Sequence, residues 1–219
     1  MRQLQHRLID LPRMRHAAMR YGRHDWPVTP GARLHNGRFV CDRAGCPTLT
    51  CHPAIEQWQA SASADRRQIA HWWRQQPRTV LIATGGTVDV LDVPAYLGLW
   101  VLKLAHVHNQ VLGPRRRQLR GPLALTPTGR WMFFVQPGTH LRPELAEHPD
   151  VLLHGAGSWV PAPPTRMLEG PVRWSVSPSE VHWRLPDALA VQALVADALT
   201  ATPTIAMRPP RAIRAALAS

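Results

Sequence analysis

The chain has 219 residues, 45% of them hydrophobic, and a formal net charge of +12 that comes from arginine, since Lys103 is the only lysine. No apolar run reaches the roughly 18 residues that a membrane span needs, and residues 1–10 lack the apolar stretch of a signal peptide. These features favour a cytoplasmic protein with a polyanionic partner, nucleic acid ahead of a membrane surface.

The first half of the chain predicts helices and strands separated by proline-bearing segments. Met14, Ala17, Ala18 and Tyr21 have helical spacing and form an apolar stripe. In chain order we expect a basic helix over 13–23, with Pro12 suited to its first turn, an edge strand over 26–30 and an irregular segment over 33–60. A helix over 63–76, capped by Ser63, follows. We then expect a buried strand over 79–83 and a strand over 88–93, which pair as a hairpin through the turn at 84–87.

The second half continues with short strands between two helices. We expect a helix over 95–108, a basic loop over 112–120, paired strands over 123–126 and 131–135, a second pair over 151–153 and 158–162, a strand over 172–176 and an amphipathic helix over 186–199. This order predicts an α+β fold with a mixed, largely antiparallel sheet flanked by helices. We expect residues 1–201 to form one domain, with 33–60 as a cysteine-bearing insert loop, and residues 202–219 to form a basic, flexible tail.

The three cysteines lie within eleven residues of one another, in the spacing C-x4-C-x4-C-H. An odd number of cysteines in a reducing compartment argues against a disulfide framework. Cys41, Cys46, Cys51 and His52 together make a Cys3His set, which suits a structural zinc ion that would pin a polar loop. The alternative is three free thiols in a loop, because short metal-binding motifs often match by chance.

An ordered set of motifs runs from about Ala17 to Trp174. The set comprises Trp26-Pro27-Val28, Trp72-Trp73, Pro77, Thr84-Gly85, Val90-Leu91-Asp92-Val93, Thr126-Pro127-Thr128-Gly129, Gly155 to Gly157, Ala162-Pro163-Pro164-Thr165 and Gly170 to Trp174. In this order the motifs resemble the bifunctional DNA primase/polymerase N-terminal domain of the archaeo-eukaryotic primase superfamily. The resemblance implies the primase-polymerase fold with its RRM-like catalytic core.

The resemblance also implies an active site, and the match fails there. The family holds two divalent metals, Mg²⁺ or Mn²⁺, through two carboxylates at positions i and i+2 of one strand. Here Asp92 keeps the first of these positions and Pro94 occupies the second. The family's third acidic ligand falls on Leu152, and its phosphate-contacting histidine falls on Trp131. The resemblance therefore leaves Asp92 as a catalytic remnant.

Two other aspartates are candidates to complete the acidic set. Asp150 lies two residues before Leu152 and would share its face of a regular strand. Asp89 lies three residues before Asp92, so a flat strand points the two side chains to opposite faces. One carboxylate cannot hold two metal ions, so we expect that polymerase activity is lost and that the fold is kept.

Basic and aromatic residues supply the candidate binding site for nucleotide or nucleic acid. Trp131 and Arg130 would line the former nucleotide pocket, and the densest basic run comprises Arg115, Arg116, Arg117 and Arg120. Such a run can grip a phosphate backbone, or it can be a solvated loop.

Three hypotheses about function follow. The first is a catalytically degenerate primase-polymerase domain that binds nucleic acid, DNA in particular, or nucleotide, with an accessory or regulatory role in replication and a replication protein as partner. The second is an active metal-dependent nucleotidyltransferase with an atypical acidic set. The third is a protein-interaction scaffold that keeps only the fold.

Overall fold

The computed structural model describes residues 2–112 and 120–201. Its helices are α1 (Arg2–Gly22), α2 (Trp58–Ser61), α3 (Arg66–Trp72), α4 (Ala95–Leu112), α5 (Pro143–Ala146) and α6 (Ala188–Ala201), with a 3-10 helix at Pro178–Val181. Its strands are β1 (Val28–Gly31), β2 (Arg33–His35), β3 (Arg38–Val40), β4 (Thr79–Ala83), β5 (Asp89–Pro94), β6 (Leu123–Leu125), β7 (Arg130–Val135), β8 (Leu152–His154), β9 (Trp159–Pro161) and β10 (Arg173–Val176). Of the basic loop predicted at 112–120, residues 113–119 lie outside the described residues, as does the tail predicted at 202–219.

A five-stranded sheet with the order β10-β6-β7-β5-β8 forms the centre of the fold, and every neighbouring pair in it is antiparallel. Because side chains alternate along a strand, each face of this sheet carries its own set of apolar residues. One face, with Leu91, Val93 and Val135, packs against α4 and α6 in an apolar core. This arrangement confirms the predicted α+β class with a largely antiparallel sheet.

The other face of the five-stranded sheet packs on a second sheet, with the order β1-β4-β9, and on α1 and α3. The ring of Trp26 stacks on that of Phe134 with centroids 5.2 Å apart and planes 3° apart. Val80 and Ile82 of β4 enter the same core, as does the α1 stripe of Met14, Ala18 and Tyr21. This core joins both sheets to the N-terminal half of the chain.

Two predicted strand pairings are wrong. β4 and β5 belong to different sheets, and β8 and β9 also belong to different sheets. β4 pairs with β1 and β9, whereas β5 pairs with β7 and β8. The glycine-bearing turns at 84–87 and 155–158 therefore carry the chain from one sheet to the other and do not fold it back into a hairpin.

These two turns, which we call the crossing turns, lie against each other. Thr84 donates from Oγ1 to the carbonyl oxygen of Gly155 over 2.7 Å, and from its backbone N to that of Ser158 over 3.0 Å. Gly85 has φ of +98°, and a Cβ at that position would overlap the backbone of Ala156. Glycine is needed there both for its conformation and for the close approach of the other turn.

The helix boundaries differ most from the prediction at α1 and α3. α1 begins at Arg2 and continues through Pro12, which has no N–H to donate to the preceding turn. α3 spans only Arg66–Trp72, and its cap is Asp65, whose Oδ1 accepts from the backbone N of Gln68 over 2.8 Å. The predicted cap, Ser63, accepts instead from the backbone N of Asp65 at 2.9 Å.

The segment at 33–60, predicted as irregular, begins with the hairpin β2–β3 and ends in α2. The hairpin turn uses Asn36 and Gly37, which both have positive φ. Among the described residues, no helix combines the length and the apolar character that crossing a bilayer would need.

Candidate functional site

Asp92 lies in the middle of β5, between β7 and β8. Its cross-strand partners are Met132 on one side and Leu152 on the other. By alternation it shares a face with Val90, the face that packs toward the three-stranded sheet, and it is 8% exposed. A carboxylate so placed needs partners, because burial without them is costly.

Arg130 is the first partner of this carboxylate. It donates from Nε to Oδ1 of Asp92 over 2.9 Å, and from Nη2 to the backbone carbonyl oxygen of Asp92 over 3.1 Å. Nη2 also donates to the carbonyl oxygen of Asp150 over 2.7 Å. The turn before β7 fixes Arg130, whose backbone N donates to Oγ1 of Thr126 over 3.0 Å. The guanidinium therefore joins β5, β7 and the start of β8.

His154 is the second partner. Its Nε2 lies 3.4 Å from Oδ2 of Asp92, and its Nδ1 lies 2.9 Å from Oγ of Ser158. Both carboxylate oxygens of Asp92 thus have a partner from the chain itself. We refer to Asp92, Arg130, His154 and Ser158 as the Asp92 network.

The structure brings the three acidic positions of the family together, but only one holds a carboxylate. Leu152 stands directly opposite Asp92 in the strand register and is 44% exposed, and Pro94 lies two residues along β5. Neither side chain can ligate a metal, and a guanidinium occupies the one carboxylate that remains. The residues present therefore do not fit a pair of divalent ions.

The other predicted catalytic residues lie apart from Asp92. Asp89 is buried on the opposite face of β5, where its Oδ2 accepts from the backbone N of Gly138 over 3.0 Å, and its Oδ1 has no partner among the described residues. Asp150 is exposed and contributes its backbone carbonyl to Arg130.

Of the predicted binding residues that the structure describes, Arg130 contacts Asp92, whereas Trp131 and Arg120 do not. Trp131 pairs with Val93 and packs against Gly98 of α4, which places it on the face opposite Asp92 and not in a pocket beside it. Arg120 is exposed at the rim of a cavity of about 810 Å³ that also holds Glu180 and Arg184. The run at 115–117 lies outside the described residues.

The cysteine-bearing loop brings three of its four predicted ligands together. The ligand atoms of Cys41, Cys46 and His52 all lie within 4.8 Å of one another. Cys51 is the exception, since its Sγ lies 4.0 Å from Oγ1 of Thr79 in a buried apolar cluster, and burial raises its pKa to about 11. Cys51 is thus buried away from the metal-binding group, and His52 is the one of these two neighbours that joins it.

Hydrogen bonds hold His52 and Cys46 in forms that favour metal binding. His52 donates from Nδ1 to the carbonyl oxygen of Thr50 over 2.6 Å, which leaves the Nε2 lone pair directed at Sγ of Cys46, 3.4 Å away. The backbone N–H of Thr48 and a hydrogen bond from Arg43 lower the pKa of Cys46 to about 6, which favours the thiolate. This Cys2His group could hold a metal ion and leaves one tetrahedral position to another donor.

Sequence reasoning missed His154 and Ser158. A signal for His154 was present, since it lies two residues after Leu152 and alternation places both on the face that carries Asp92. Ser158 offered none, because its contact with His154 depends on the shape of the crossing turn.

The α+β fold with its antiparallel five-stranded sheet is consistent with the class of primase-polymerase domains. A family model, bifunctional DNA primase/polymerase, N-terminal, matches residues 18–189, and the chain belongs to this family. Its members are DNA primases and polymerases, nucleotidyltransferases that act on nucleic acid and nucleotides and use divalent metals. A comparison with curated proteins returns no match.

Proposed function

We propose that this chain is a non-catalytic primase-polymerase domain that binds nucleic acid, DNA in particular, or nucleotide, and acts as an accessory to replication together with a protein partner. The observation that carries the proposal is the engagement of Asp92 by Arg130, over 2.9 Å, at the one acidic position that the chain retains.

Metal-dependent nucleotidyl transfer requires several oxygen ligands around two ions. Here Pro94 and Leu152 supply none, and the positive charge of Arg130 repels a cation that approaches Asp92. The alternative acidic set is no better placed, because Asp89 is buried on the other face of the sheet. We infer that the guanidinium has taken over the electrostatic role of the metals by neutralising the carboxylate.

The surface around Arg130 can bind an anionic ligand without catalysing a reaction. Arg130 keeps about a quarter of its side chain exposed, 23%, and its Nη1 has no partner among the described residues. A guanidinium with free N–H groups can donate to a phosphate oxygen. The net charge of +12 adds long-range attraction for polyanions.

We further propose that the trio of Cys41, Cys46 and His52 holds a structural zinc ion. Two thiolates and an imidazole whose second nitrogen is hydrogen-bonded are a donor set that suits zinc. The ion would pin residues 41–52 of the insert loop, which form neither helix nor strand.

A primer-extension assay with Mg²⁺ and Mn²⁺ tests the loss of catalysis. We expect no extension by the wild-type protein. Extension that disappears in Asp92→Asn and persists in the exposed control Asp197→Asn would overturn the proposal. Fluorescence anisotropy with a labelled single-stranded oligonucleotide tests binding, which is expected to weaken steeply with salt. A protein that binds neither the oligonucleotide nor a nucleoside triphosphate would instead be a scaffold.

A further inference from the structure

A basic groove lies between α1 and the end of α3, away from the Asp92 network. Its volume is about 370 Å³, and its lining consists of Leu11, Pro12, Arg15, His16, Met19, Arg23, Trp73 and Arg74. None of the residues of the Asp92 network lines it. It is therefore a separate surface of the domain.

The groove follows from the helical spacing of α1. Residues 11, 12, 15, 16, 19 and 23 fall within an arc of about 140° at 100° per residue. This arc adjoins the buried stripe that contains Met14 and Ala18, so one side of the helix joins the core and the next side faces the groove. Arg20 lies outside the arc and instead covers the ring of Trp183, with Cζ 5.7 Å from its centroid.

The cations of the groove are not neutralised by the protein. Arg15, Arg23 and Arg74 are exposed, and no carboxylate is among the lining residues. Within 2–112 and 120–201, the ion pairs of arginine involve residues 78, 130 and 142 and none of these three. Three free guanidinium groups along one groove form a strong site for phosphate oxygens.

A second cavity, of about 240 Å³, shares Arg74 with the first. Its lining adds a tryptophan ring, further polar side chains and one aliphatic residue, namely Trp72, His71, Gln75, Gln76, Arg78 and Ile55. Trp72 is half-buried, meets the ring of Trp73 at a steep angle, with centroids 6.3 Å apart and planes 78° apart, and lines this cavity beside Arg74. Cations in line with an accessible aromatic ring are the elements of a site for single-stranded nucleic acid.

We propose that this groove binds the phosphodiester backbone of single-stranded nucleic acid, with Arg15, Arg23 and Arg74 on the phosphates and Trp72 stacked on an unpaired base. The inference rests on the proposed nucleic-acid binding and names the surface that performs it. A single strand is favoured over a duplex because only an unpaired base can stack on an aromatic side chain.

The test compares two triple variants that lose the same charge. One carries Arg15→Gln, Arg23→Gln and Arg74→Gln in the groove, and the control carries substitutions of three exposed arginines elsewhere, Arg38→Gln, Arg166→Gln and Arg173→Gln. Anisotropy with fluorescein-labelled oligothymidine is measured over a series of NaCl concentrations. Each phosphate contact on a single strand contributes about 0.7 to the salt slope, so the groove variant should lose about 2 in slope and bind about a hundredfold more weakly at about 0.1 M salt. The control should keep nearly the full slope.

Two further variants examine stacking. Trp72→Ala is expected to weaken binding about tenfold with no change in salt slope, and Trp72→Phe is expected to restore most of that loss. Thermal unfolding of every variant shows whether the fold is intact.

The possible outcomes distinguish a failure of the groove from a failure of the proposed nucleic-acid binding. A wild-type protein that does not bind the oligonucleotide contradicts the proposed function itself. Binding by the wild type with equal losses in the groove variant and the control overturns the groove and leaves the function standing. A duplex, or vesicles of phosphatidylserine, that compete as well as the single strand would also overturn it.

Discussion

Removal of the guanidinium from Arg130 should destabilise the protein, because it leaves Asp92 charged and nearly buried. Arg130→Met keeps the aliphatic stem and deletes three hydrogen bonds, which join Nε to Oδ1 of Asp92 over 2.9 Å and Nη2 to the carbonyl oxygens of Asp92 and Asp150. Breaking a buried ion pair from one side costs about 3–5 kcal/mol. Because the two side chains keep 23% and 12% of their exposure, water screens part of the charge, and we expect about 3 kcal/mol.

Urea unfolding measures this loss as a lower midpoint at unchanged slope. The double variant Arg130→Met/Asp92→Leu removes the stranded charge and should recover most of the loss. Mn²⁺ should raise the midpoint of Arg130→Met, since Asp92 and His154 then face no cation, and should leave the wild type unchanged. A single variant that costs less than about 1 kcal/mol, or a wild type that Mn²⁺ stabilises equally, would refute the reasoning.

Three further predictions concern the insert loop and the crossing turns. Cys46→Ser should abolish zinc binding measured by elemental analysis, whereas Cys51→Ser should keep it, because that thiol faces Thr79. In metal-free protein the pKa of Cys46, lowered to about 6, makes it a thiolate above that pH, so iodoacetamide should label it half-maximally near there, while Cys51, with its pKa raised to about 11, stays unlabelled at neutral pH. Gly85→Ala should lower the melting temperature by several degrees, because its φ is +98° and Ala156 blocks a Cβ.

The contradicting results are equally specific. Zinc loss in Cys51→Ser would show that Cys51 is a fourth ligand. Labelling of Cys46 with a midpoint near pH 9 would show that its neighbours do not lower its pKa. An unchanged melting temperature for Gly85→Ala would show that the crossing turns are not in close contact. The control is Gly86→Ala, because no atom lies within 4 Å of a Cβ built at that position.

The elements of the fold were more predictable than their pairing. β4 over Thr79–Ala83 follows directly from its apolar, β-branched run, and β6 and β7 from the turn between them. The turn at 84–87 was wrongly predicted to close a hairpin, because two glycines suit a hairpin turn and a turn between two sheets equally well. The choice depends on which core each strand enters, and that is a property of residues distant in the chain.

The candidate site was also only partly predictable from the sequence. Asp92, Pro94 and Leu152 were identified by their places in the family pattern, and the strand register brings them together. The role of Arg130 could not be read beforehand, because its contacts join three strands, whereas the place of His154 followed from alternation along β8. The departure of Cys51 from the metal group was not predictable, because residues 51 and 52 lie outside the helices and strands and the contact of Cys51 with Thr79 depends on a strand distant in the chain.

The crossing turns have a mechanical consequence. The chain passes between the sheets twice at one edge, by short turns held together through Thr84, and returns by the longer segment at 162–172. Movement of one sheet against the other is therefore most restricted at the crossing turns, on the side where β8 and β9 lie, and least restricted toward β1 and β10. His154 and Asp92 lie on neighbouring strands of the same sheet, so such a movement leaves their distance unchanged.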